Sequence, residues 1–194
     1  MFNQRVTFLP IFLAFVLIYL ILGDCLVLKV GLSAVALFLV YLNYIPATPA
    51  VSRSASSVVA PVYGQVSAIE YDEDSVKIEI EKTIYQSAIV TMPISAYVDV
   101  KTVDGAVVAD EKLSQMVNQK VSYSTKDGFF SMRVIPHYFA ADNYIDSDRY
   151  YIGDVIGRVF SAKIEIELSG VDVKVGVGDK IEAKSTVLAY KHEQ

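Results

Sequence analysis

The chain has 194 residues, room for one domain and an anchor but too few for two ordinary domains. Hydrophobic residues make up 53% and are concentrated at the start: residues 1–50 carry only Arg5, Asp24 and Lys29 as charges, whereas the other 144 hold 15 Lys/Arg against 21 Asp/Glu, a balance of −6. That acidic body lacks the basic footprint of a nucleic-acid partner, the single Cys25 excludes an internal disulfide framework and a cysteine-rich zinc site, and His137 and His192 are too few for a histidine-built metal centre.

Residues 7–22 (TFLPIFLAFVLIYLIL) and 26–44 (LVLKVGLSAVALFLVYLNY) each approach the roughly 17–25 residues that a membrane-crossing helix needs. Gly23-Asp24-Cys25 is a tight polar link between them, so residues 1–46 are expected to form a transmembrane helical hairpin. Pro10 falls near the start of the first run, where a missing backbone donor costs least, and Lys29 lies one turn from the link, where it can reach back to the interface. A secretory signal is the rival reading, but a second apolar run follows at once and no small-residue cleavage site separates the two. Arg5 and Arg53 flank the hairpin and favour the cytoplasmic side for the body. Residues 47–57 (ATPAVSRSASS) read as a short flexible linker.

From Val58 onward the pattern has period two. In Val76-Lys77-Ile78-Glu79-Ile80-Glu81 branched residues alternate with charges, and Ala162-Lys163-Ile164-Glu165-Ile166-Glu167-Leu168 repeats the design, so each describes a strand with one wet face. Val76, Ile78, Ile80, Ile164, Ile166 and Leu168 should then face the core, with Lys77, Glu79, Lys163 and Glu165 outward. Turn signals recur at Tyr63-Gly64, Asp104-Gly105, Asp127-Gly128, Ser169-Gly170 and Gly178-Asp179. Residues 109–117 alone look helical. Residues 58–194 are thus expected to be a mostly β domain, a barrel or sandwich of short strands that include 66–71, 76–82, 163–168 and 186–190. Phe129, Phe130, Tyr138, Phe139, Tyr144, Tyr150, Tyr151 and Phe160 either fill its core or form a surface for a ligand or a lipid interface, and core filling is the simpler expectation.

The order of these pieces resembles the short, membrane-bound phosphatidylserine decarboxylases. Ala60-Pro61-Val62-Tyr63-Gly64-Gln65-Val66 is similar to the family's opening Ser-Pro-Ala-Asp-Gly-x-Val. Pro93-Ile94-Ser95-Ala96-Tyr97-Val98-Asp99, with Val103-Asp104-Gly105 after it, lies over Pro-Leu-Asp-Val-His-Val-Asn and a later Val-x-Gly. Phe160-Ser161-Ala162-Lys163-Ile164-Glu165-Ile166-Glu167-Leu168 matches Phe-Gly-Ser-Arg-Val-Asp-Val-Tyr-Leu. The stretch from Val175-Gly176-Val177-Gly178-Asp179 to Val187-Leu188-Ala189 resembles the family's closing Val-Gly-Asp-x-Val-x-Ala and Val-Leu-Ala.

The family's chemistry depends on a pyruvoyl group, formed when the chain cuts itself between Gly and Ser with an Asp-supported His as base. The resemblance puts Tyr63 at the Asp position, Tyr97 at the His position and Ser161-Ala162 at the Gly-Ser pair, and it implies that these positions converge in space. A phenol near its ordinary pKa of about 10 is no base at neutral pH, and Ala162 has no hydroxyl to become a ketone. Without the pyruvoyl carbonyl there is no electron sink for decarboxylation. No pyruvoyl group, other cofactor or metal is therefore expected.

Other chemistry is thinly supplied. His137 with Asp142 could form an acid–base pair, Asp142, Asp146 and Asp148 could hold a divalent cation, and Gly176, Gly178 and Asp179 imitate a phosphate loop. Each reads more simply as solvated surface or as a turn. The expectation is a non-catalytic, membrane-anchored decarboxylase-like protein of the bacterial or mitochondrial inner membrane, an accessory or structural subunit whose partners are the bilayer and other membrane subunits, not nucleic acid. The alternative is an active decarboxylase making phosphatidylethanolamine, and a third reading is a lipoyl-like adaptor barrel, for which Asp179-Lys180 offers no strong hairpin-tip lysine.

Overall fold

The computed structural model describes Val16, Tyr19 and residues 26–43, 56–105 and 118–192. The chain divides into two compact units, Met1–Tyr44 and Ile45–Gln194.

In the first unit the helix α1 spans Leu26–Asn43, 18 residues. At about 1.5 Å per residue its described span is roughly 27 Å, and Lys29 charges its first turn. Among the described residues no helix is long and apolar enough to cross a membrane. This overturns the transmembrane hairpin and, with it, the assignment to an inner membrane. The Lys29 ammonium lies 5.1 Å from the centre of the Tyr19 ring. Most of the first expected helix, residues 7–22, lies outside the described residues, as do most of the linker and the helix expected at 109–117.

The second unit is mostly β. Its strands are β1 Ser57–Val59, β2 Gly64–Tyr71, β3 Ser75–Lys82, β4 Ile89–Thr91, β5 Ala96–Val103, β6 Lys120–Thr125, β7 Phe130–Pro136, β8 Asp142–Asn143, β9 Asp148–Tyr150, β10 Val155–Arg158, β11 Ala162–Ser169, β12 Val171–Val173, β13 Lys180–Ile181 and β14 Val187–Lys191. An eight-stranded sheet runs β13-β2-β3-β11-β7-β6-β5-β9, beside two three-stranded sheets, β1-β14-β12 and β4-β10-β8. Among the described residues no ladder joins β13 to β9, so the large sheet is open there and, of the expected barrel or sandwich, the closed barrel does not form. Ser57, placed in the linker by sequence, already pairs with Tyr190 as the first residue of β1.

Alternation decides the faces. β11 pairs with β3 over all eight residues, from Ala162 opposite Lys82 to Ser169 opposite Ser75, and with β7 on its other side. Val76, Ile78, Ile80, Ile164, Ile166 and Leu168 are buried in one core, which Leu188 joins from one small sheet and Val90 and Ile156 from the other. Lys77, Glu79, Lys163 and Glu165 occupy the opposite face, where Glu79 meets Lys77 and Lys163 at 2.8 Å each. Burial alone would raise the Glu79 pKa, but the hydrogen bonds from Lys163 and Lys77 outweigh it and hold the carboxyl below its usual range.

Candidate functional site

The Ser161-Ala162 pair sits at the corner where the chain enters β11. Ala162 is fully buried between Lys82 of β3 and Pro136 of β7. Ser161 is also buried, and its hydroxyl donates to the Lys82 carbonyl at 3.2 Å. The His137 amide donates to the Ser161 carbonyl at 2.9 Å, and the His137 ring lies 3.2 Å from a Glu81 carboxylate oxygen.

Lys82 dominates this corner. Its side chain is 1% exposed, and its ammonium donates to the carbonyls of Phe160 at 2.9 Å and of Thr83 and Gln86 at 3.3 Å each. Burial pushes its pKa down to about 8. Three ammonium protons meet three carbonyls, so the geometry makes Lys82 a clamp between the turn after β3 and the corner before β11. The Ser161 hydroxyl donates to a backbone carbonyl, which is no base to take its proton. The buried Ser87 hydroxyl is the single buried side-chain polar atom without a partner among the described residues.

Tyr63 reaches the same end of the sheet by another route. Gln65 of β2 stands opposite Glu81, so Tyr63, two residues earlier, lies on the far side of β3 from Ser161. Gly64 follows because there is no room for more: a Cβ there would come within 2.7 Å of an Ile80 methyl and 2.8 Å of the Glu81 carbonyl.

Tyr97 does not join them, contrary to the convergence that the resemblance implies. Register is the reason. Val98 stands opposite Thr125, Ser124 opposite Ser131, and Phe130 opposite Leu168, which puts Tyr97 level with the far end of β11. Six residues of strand separate Leu168 from Ala162, about 20 Å. Tyr97 is 47% exposed beside a shallow hollow of about 310 Å³ lined by Ala96, Tyr97, Thr125, Lys126 and Asp127.

The remaining candidates disperse. Asp142 pairs with Arg158 at 2.7 Å and not with His137. Among the described residues no three His, Cys, Asp or Glu side chains are grouped so as to hold a metal ion. Asp179 accepts from the Gly176 amide at 2.7 Å, and Gly178 has φ 94°, so the glycine-rich stretch is a tight turn closed by its own carboxylate. Of the aromatic stretch only Phe130 is fully in the core; Tyr138, Phe139, Tyr144 and Tyr151 are exposed, because the segment around the short strands β8 and β9 runs along the outside. Core filling therefore fails as a general account of those rings.

No family model, no curated protein and no solved structure matches the chain.

Proposed function

We propose that the chain is a non-catalytic protein of decarboxylase-like design, an accessory or structural subunit of a larger protein assembly. The observation that carries this reading is the Ser161-Ala162 corner, where the resemblance would have the chain cut itself. Ala162 is buried and laddered on both sides, Ser161 donates inward to a carbonyl, and the nearest amine, Lys82, spends its protons on three carbonyls. Tyr63 and Tyr97 supply neither the acid nor the base of the family mechanism, and they lie at opposite ends of the sheet.

Intact-mass analysis tests the reading directly. One species near 21.4 kDa is expected, with no carbon dioxide released from phosphatidylserine above background, and with stable protein partners recovered from gently lysed cells. Two fragments with a pyruvoyl-blocked end near residue 161 would establish the active decarboxylase instead.

A further inference from the structure

Across three neighbouring strands of the large sheet, three side chains stand in one row. Tyr97 of β5 is directly opposite Arg149 of β9. On its other side, one step past the Val98–Thr125 pair, comes Lys126, whose ammonium lies 5.1 Å from the centre of the Tyr97 ring. Directly opposed residues share a face, so the row reads cation, ring, cation. Arg149 also lies over a second exposed ring, Tyr151, at 5.9 Å.

This arrangement is unusual in a body with a balance of −6. Among the described residues neither Lys126 nor Arg149 forms an ion pair. The adjacent acids are engaged by backbone amides: Asp127, which also lines the hollow, accepts from Phe129 N at 3.1 Å and Asp148 from Arg149 N at 2.7 Å. The Thr125 hydroxyl and the Phe129 amide hold the Asp127 carboxyl below its usual range. Two exposed cations thus stand outside any ion pair among the described residues, on either side of a half-exposed ring whose hydroxyl donates to the Ser147 carbonyl at 3.4 Å.

We propose that the Lys126–Tyr97–Arg149 row and the hollow beside it bind a small phosphate monoester carrying a planar ring, the chemistry of a nucleoside monophosphate. Lys126 is the point charge at the hollow, Arg149 offers a planar fork to two phosphate oxygens, and the Tyr97 ring offers a stacking face. The hollow's 310 Å³ lies at the lower bound of small-molecule sites, about 300–1,000 Å³, which favours a small ligand. This inference is independent of whether the chain is an accessory subunit.

Calorimetric titration of the full chain with adenosine monophosphate, adenosine and inorganic phosphate tests it, with backbone amide shifts mapping the site. Adenosine monophosphate should bind more tightly than either half, and shifts should centre on residues 96–97, 125–127 and 148–151. Lys126→Gln and Arg149→Gln should each weaken binding about tenfold, the loss of one charge-assisted contact. Tyr97→Phe should stay within about twofold and Tyr97→Ala should not, because stacking needs the ring and not the hydroxyl. All three side chains are exposed or half-exposed, and the wild-type shift map decides the matter without any variant. Absence of binding, shifts elsewhere, equal affinity for inorganic phosphate, or tighter binding of decathymidylate would overturn the proposal.

Discussion

The Lys82 ammonium donates to the Phe160 carbonyl at 2.9 Å across 78 positions of sequence. The bond fastens the turn after β3 to the corner before β11, and it buries a cation without a carboxylate beside it. With its pKa pushed down to about 8 by burial, Lys82 releases its proton in the folded chain before it does so in the unfolded chain, where a lysine titrates near 10.4. Between those values the unfolded state holds the extra proton, so stability rises with pH and the penalty is fully present below about 8. Urea unfolding should show a rise on the order of 3 kcal/mol from pH 8 to 10.5 in the wild type that is missing from Lys82→Met. Parallel curves for the two proteins would refute a buried, titrating Lys82.

The two long central strands should dominate stability. Ile166 is fully buried between Ile78 and Met132, whereas its neighbour Glu167 faces solvent beside Lys77 and Ser131. Ile166→Ala should cost about 2–5 kcal/mol in equilibrium denaturation, and Glu167→Ala under about 0.5. Equal costs would mean that β11 is set one residue out of register.

Much of the sheet was legible because its strands bury one face. The alternation that puts Val76, Ile78 and Ile80 inward continues to Lys82, so the buried lysine was written in the same parity and was overlooked only because its residue type argues for solvent. Tyr97 shows the opposite case. A gapless match to a family phrase says nothing about which end of a sheet a residue occupies; that depends on the registers through β5, β6 and β7 and on the pairing of β7 with β11, which are neighbours in the sheet but not in sequence. The exposed rings Tyr138, Phe139, Tyr144 and Tyr151 were also hidden, since they stand in the irregular segments around β8 and β9, where no periodicity marks a face. For α1, hydropathy alone reads as a span, although among the described residues no helix is long and apolar enough to cross a membrane.

The charged face offers a prediction of opposite sign to that of Lys82. Glu79 is held between Lys77 and Lys163, and its carboxyl titrates below the usual range because their hydrogen bonds outweigh burial. A carboxylate depressed in the folded state stabilises above its unfolded pKa, near 4.3, and that contribution is lost as pH falls through the folded value. Glu79→Gln should therefore be less stable than the wild type at pH 7, by about 1 kcal/mol for a pair so close to solvent. The difference should shrink as pH falls below the unfolded value. A gap that persists in acid would mean that Glu79 acts by packing and not by charge.

The last prediction concerns Gly157, in the centre of the β4-β10-β8 sheet. Its partner there is Asn143, and the neighbouring pair sets Arg158 opposite Asp142, which its guanidinium also holds through two bonds to one carboxylate oxygen, at 3.0 and 2.7 Å. The backbone approaches so closely that a Cβ on Gly157 would collide with the Asp142 carbonyl, and it would also stand 3.5 Å from the buried Tyr123 hydroxyl. A carbonyl in a ladder cannot swing aside as a flexible side chain does. Gly157→Ala should cost about 1–3 kcal/mol, the range of overpacking. Gly176→Ala is the control: a Cβ there meets only an Asp179 oxygen at an ordinary 3.7 Å, so its unfolding midpoint should hardly move. Hydrogen exchange supplies a local reading of the same change. The Tyr144 amide donates to the Ile156 carbonyl at 2.9 Å just beyond this contact. In Gly157→Ala that amide should exchange faster than in the wild type while amides of β3 and β11 change only with global stability. Unaltered protection at Tyr144 would show that β8 can yield without leaving β10.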